Sequence, residues 1–109
     1  MSTANQGVLT LIAPLALEED LVDFFLDSEN QMGFTSTQVR GHSSQHTGMN
    51  LVEQVTGRTQ RVKFQILLSE TEAKDICQRL KVLFPDAGIN YWYINAVMQG
   101  RISEITPEP

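Results

Sequence analysis

The residues with the most to offer chemically fall in one stretch, Arg40 to Lys63. His42 and His46 stand four apart, a spacing that lets two imidazoles share one cation if the segment coils as a helical turn. Met49 follows with a soft sulfur suited to Cu(I). His42, His46 and Met49 are therefore a candidate site for a transition metal (Cu, Zn or Ni). Two histidines from one chain bind weakly, so a tight site needs copies of the chain to pool them. The competing reading is a pair of solvated polar side chains in a loop. Around them the charge is one-sided: residues 40 to 63 hold Arg40, Arg58, Arg61 and Lys63 against the single acid Glu53. A basic cluster of this kind suits an anion or an acidic partner, with Glu53 and Gln54 available to hydrogen-bond at an interface. Alternatively, the bases pair with acids of a neighbouring subunit, since residues 17 to 30 carry six acids and no base.

Other reactive types have plainer explanations. Cys77 lies on a helical stripe with Ala73, Ile76, Leu80 and Leu83, where burial raises a thiol pKa and makes it inert. Tyr91-Trp92-Tyr93 could stack on a base, but without basic neighbours it reads as core and interface packing. Glu18, Glu19, Asp20 and Asp23 lack the alternating D-x-D-x-D-G pattern of a calcium loop and read as a solvated helix face. No glycine-rich phosphate loop or nucleophile elbow occurs, and no activated nucleophile or acid–base pair can be assembled. The chain does not read as an enzyme.

The 109 residues allow one compact domain and one core. At 41% hydrophobic and 19% charged, the composition is that of a globular chain. A net charge of −5 disfavours a dedicated nucleic-acid binder, and the single cysteine excludes a disulfide framework within the chain. The apolar run Val8 to Leu17 is broken by Thr10 and Pro14 and is shorter than the roughly 20 residues a membrane crossing needs. No Lys or Arg precedes it, so a secretory signal is not expected. The expectation is a cytoplasmic protein without direct membrane insertion.

Hydrophobic periodicity supplies the elements that must position these residues. Val8 to Ala13 reads as a strand buried on both faces. After Pro14 at the first turn of a helix, Leu17, Leu21, Phe24 and Phe25 form one apolar stripe. Phe34 to Arg40 alternates as a second strand, and Val62, Phe64, Ile66 and Leu68 alternate with polar neighbours as a third. Ser69 and Glu72 form a capping box ahead of the stripe Ala73, Ile76, Cys77, Leu80, Leu83 and Phe84, which Pro85 and Gly88 stop. Ile89 to Met98 is the last strand. The order strand, helix, strand, strand, helix, strand predicts an α+β, ferredoxin-like βαββαβ domain: a four-stranded antiparallel sheet with both helices on one face. Residues 1–7 read as a flexible terminus, 8–100 as the single domain and 101–109 as a tail. The final strand is apolar on both faces, and nothing in the chain remains to cover the second face, which predicts a homo-oligomer with packed sheets. Between the second and third strands lie 17 residues, 42 to 58, where about two to five suffice for a hairpin. A connection of that length is a candidate binding loop.

The succession G-H-S-S-Q-H-T-G-M-N-L-V-E-Q-V-T-G-R-T-Q-R-V-K-F-Q, Gly41 to Gln65, resembles the central motif of a small uncharacterised PII-like bacterial family. Leu15 to Leu26, Gly33-Phe34-Thr35 and F-P-D-A-G-I-N-Y-W, Phe84 to Trp92, fit the same pattern, so the resemblance spans about residues 8 to 102. It implies a relationship to the PII signal proteins and the divalent-cation-tolerance proteins, which are ferredoxin-like homotrimers. It places residues 42 to 58 where PII proteins carry the T-loop that engages partners. It also implies an association with heavy-metal efflux, since genes of this kind often neighbour efflux pumps of the resistance-nodulation-division type. A pump component or its regulator is then the expected partner. One departure matters: classical PII proteins cradle ATP phosphates with a glycine- and base-rich loop after the second helix. Here that link is Pro85-Asp86-Ala87-Gly88, with no base. The resemblance thus implies a non-catalytic regulatory trimer. Binding of a small anion or nucleotide in clefts between subunits is the alternative, with Arg58, Arg61 and Lys63 as its cations.

Overall fold

The computed structural model describes residues 6–28, 33–42 and 58–107. Its elements follow in the expected order: β1 (Gln6–Pro14), α1 (Glu18–Leu26), β2 (Phe34–His42), β3 (Arg58–Ser69), α2 (Glu70–Leu83) and β4 (Asn90–Asn95). All neighbouring strands are antiparallel, in the order β2-β3-β1-β4. This is the α+β ferredoxin-like arrangement. No helix among the described residues is long and apolar enough to cross a membrane.

The strand alternation decides where the core sits. Leu9, Leu11 and Ala13 of β1 and Val62, Phe64, Ile66 and Leu68 of β3 are buried on one face. Leu21, Phe24 and Phe25 of α1 and Ala73, Ile76 and Leu80 of α2 close over them. Rings tie three elements together: Phe25 lies 5.2 Å from Phe34 and 5.6 Å from Phe64, centroid to centroid. Arg79 of α2 stacks on Phe24 of α1 at 4.8 Å, linking the two helices. The capping box forms as the spacing predicts, with Glu72 N–H donating to Ser69 Oγ at 3.2 Å and Ser69 N–H to Glu72 Oε1 at 2.9 Å.

Several boundaries differ from the sequence expectation. β1 starts at Gln6, paired with Ser69, because the long β3 offers backbone partners further than the apolar pattern extends. Pro14 ends β1 and leads into a 3-10 turn, Leu15–Leu17, so α1 begins only at Glu18. At a strand end its missing N–H is not needed by the ladder. β4 is shorter than Ile89 to Met98 and stops at Asn95, so Val97 and Met98 lie beyond the sheet. Leu83 belongs to the apolar stripe by spacing, yet it lies at the last turn of α2, past the sheet cover, and is exposed.

Gly7 is required by packing. A Cβ there would lie 2.5 Å from the Ile94 carbonyl oxygen and 2.6 Å from Cζ of Tyr93. The Tyr93 ring therefore rests on the bare backbone of β1, and its hydroxyl donates to the Leu68 carbonyl at 2.9 Å. One side chain of β4 thus spans β1 to reach β3.

Candidate functional site

The β2–β3 hairpin carries the candidate residues, and its register places them. His42 is opposite Arg58, Gly41 opposite Thr59, Arg40 opposite Gln60, Val39 opposite Arg61 and Thr37 opposite Lys63. His42 and Arg58, expected as the loop's ends, thus pair with each other as the outermost described residues of the two strands. The connection beyond them is anchored on a two-stranded ladder nine residue pairs long. Directly opposed residues share a face. Arg40 and Gln60 point to the helix side beyond the 3-10 turn, whereas Arg61 and Lys63 alternate with the buried Val62 and belong to the open face.

Two strands therefore bring Arg40, Arg61 and Lys63 to one end of the sheet. There, Leu15, Gln38, Val39, Arg40, Gln60 and Arg61 line a cleft of about 250 Å³. Among the described residues the ion pairs are Glu70–Lys74 and Asp75–Arg79, both along α2, and neither Arg40 nor Lys63 meets a carboxylate. Arg61 is committed in part: Nη1 donates to the Gly88 carbonyl at 3.2 Å. That bond fixes the turn between α2 and β4, where Asp86 and Gly88 both adopt positive φ, +56° and +78°. Asp and Gly tolerate this region best. The base missing from Pro85 to Gly88 in sequence thus arrives from β3, aimed at a backbone oxygen.

His42 is exposed at the end of β2. His46, Met49, Glu53 and Gln54 lie outside the described residues, and Arg58 is described by its backbone alone. Among the described residues no three His, Cys, Asp or Glu side chains gather as a metal cluster. Cys77 is half-buried against the core, and burial pushes its thiol pKa up, which disfavours the thiolate. Burial also raises the Tyr93 phenol, helped by the nearby charges of Glu70 and Glu72.

The opposite face of the sheet bears neither helix. Val8, Thr10 and Ile12 of β1, Leu67 of β3, and Trp92 and Ile94 of β4 share it. Ile94 is 62% and Trp92 46% exposed, while Thr10, between Gln65 and Trp92 in the register, is 2% exposed. The sequence expectation of an uncovered second face holds for this chain alone.

A family model matches residues 3–103. The chain belongs to the DUF3240 family of proteins of unknown function. Among solved structures it is similar to a DUF3240 family protein from Shewanella baltica, with TM-score 0.72 and 20% identity over 92% of this chain and 99% of that one. It is also similar to a Thermus thermophilus protein whose suggested role is PII-like signalling, with TM-score 0.58 and 27% identity over 88% of this chain and 91% of that one. Both likenesses cover nearly the full fold, and the DUF3240 fold in this chain is PII-like. No curated protein matches the chain.

Sequence reasoning located the basic cluster by charge counting but missed two features. The Arg61–Gly88 bond joins residues 27 apart, and no local pattern encodes it. The seating of Tyr93 on Gly7 has no local signal either, because the apolar pattern starts at Val8 and leaves Gly7 outside the strand it implies.

Proposed function

We propose that the chain is a non-catalytic regulatory subunit of PII type. It assembles as a homotrimer through the open face of its sheet and presents residues 42 to 58 to a partner protein. The observation that carries this reading is the β2–β3 ladder, paired out to His42 and Arg58. It gives the long connection a stiff base at the end of the sheet, away from the helix-covered core. The likeness to the Thermus protein supports the signalling role. The uncovered apolar residues Leu67, Trp92 and Ile94 support self-association, and three is the copy number that the PII resemblance implies. The partner is a heavy-metal efflux component or its regulator. His42, His46 and Met49 sense a transition metal, with Glu53 and Gln54 hydrogen-bonding at the subunit interface or to the partner.

Sedimentation analysis tests the assembly: a trimer at micromolar concentration is expected, and a monomer there removes the reading. Titration of Cu(I), Zn(II) and Ni(II) into the wild type and the His42→Ala/His46→Ala double variant tests the metal role. Equal weak affinities in both remove the metal while leaving partner docking intact.

A second reading, binding of a small anion or nucleotide, is favoured by one observation. Arg40, which lines a cleft with Arg61, meets no carboxylate among the described residues, and neither does Lys63, two residues along β3 from Arg61. A rise in melting temperature with ATP or inorganic phosphate, lost in Arg40→Ala and Arg58→Ala, is the expected signature. No rise in the wild type removes this reading.

A further inference from the structure

Beyond β4 the described residues carry several exposed apolar side chains. Ala96 N–H still donates to the Gln6 carbonyl at 2.9 Å. After it, Val97 is fully exposed, and Met98, Ile102 and Ile105 are exposed as well. The segment nonetheless has a defined shape. Residues Ile102–Glu104 form a 3-10 turn, closed by bonds from Glu104 N–H to Arg101 O and from Ile105 N–H to Ile102 O. Four large apolar side chains within nine residues do not suit a tail that serves only as a solvated end.

A receiving surface lies elsewhere on the same fold. Between the C-terminal half of α2 and the start of β4 runs a groove of about 370 Å³, lined by Leu80, Phe84, Ile89 and Tyr91 with Lys81 and Asp86 beside them. Neither Lys81 nor Asp86 has an ion-pair partner among the described residues. The tail offers the matching chemistry: Ile102 and Ile105 for the apolar lining, Arg101 for Asp86 and Glu104 for Lys81. The chain's own tail does not occupy this groove: Ile102 and Ile105 stay exposed. The tail leaves β4 at Asn95, whereas the groove lies at the strand's other end, about 17 Å away along β4.

We propose that residues 97–106 of one copy of this chain fill the α2–β4 groove of a second copy. The proposal rests on the self-association described above and names the arm that joins the copies.

Two measurements on the full-length chain test it. In Val97→Ser/Ile102→Ser/Ile105→Ser, the concentration at which half the chains are assembled is expected to rise at least tenfold, with unchanged circular dichroism. An unaltered dissociation profile overturns the proposal and leaves self-association through the open face standing. A monomeric wild type overturns both. In Cys77→Ser/Ala87→Cys/Ile102→Cys, with Ala87 also lining the groove, a short bismaleimide is expected to join the two new thiols across chains, giving covalent multimers that vanish when either new cysteine is left out. A cross-link confined to one chain, or none, overturns the docking.

Discussion

The two faces of the sheet are built from the same strands, residue by residue in alternation, and they end in opposite conditions. On one face, Leu9, Leu11, Phe64 and Ile66 are sealed by α1 and α2 to exposures of 1% or less. On the other, Leu67 follows Ile66 directly and Ile94 follows Tyr93, yet they are left 39% and 62% exposed. A βαββαβ chain has two helices and places both on one side, so it completes one core and leaves the other face without helix cover. Sealed positions should therefore carry fold stability, and open ones association.

The sharpest way to break this comparison is at Phe64, which sits under Phe25 and Phe34. Phe64→Ala is expected to cost about 3–5 kcal/mol in urea unfolding; a loss as small as at an open-face site would erase the distinction. Gly7→Ala comes next. Its methyl must displace the Ile94 carbonyl or the Tyr93 ring, and an overpacking cost of about 1–3 kcal/mol is expected in the same assay.

Tyr93→Phe removes one hydrogen bond from the sealed side, for about 1 kcal/mol. It also changes the alkaline limb. The native phenol ionises above its ordinary value because burial, with Glu70 and Glu72, opposes its charge. Wild-type stability from this group is thus fully present below pH 10.0, the ordinary value, and is lost as pH rises toward the higher native pKa. Thermal melts from about pH 8 to 11 should show a shallower alkaline decline in Tyr93→Phe. The smallest effect on folding is expected at Ile94→Ser, within about 0.5 kcal/mol of wild type for the isolated subunit. The same change should weaken self-association in sedimentation. A large folding loss with unchanged association would invert the comparison.

Much of this was legible before any coordinates. The period-2 run through Val62, Phe64, Ile66 and Leu68 and the stripe through Ala73, Ile76 and Leu80 name the buried face, because burial selects side chains at the element's own period. The capping box is legible for the same local reason: its two bonds link residues three apart. The candidate site was only partly legible. Charge counting found Arg40, Arg61 and Lys63 but could not assign them to faces, since that depends on which neighbours β3 buries. Strand ends were less legible still, because pairing partners rather than side-chain types decided that β1 begins at Gln6 and β4 stops at Asn95.

The amino-acid order by itself determined the element sequence, the helix-side core and the one-sided charge of residues 40 to 63. Each of these follows from composition or from spacing within one element. Only the tertiary structure decided that Arg61 crosses to the Gly88 carbonyl, that Tyr93 lies on Gly7 to reach Leu68, and that a groove opens between α2 and β4 while the tail stays bare. Those depend on strand register and on contacts between residues far apart in the chain, which no local period records.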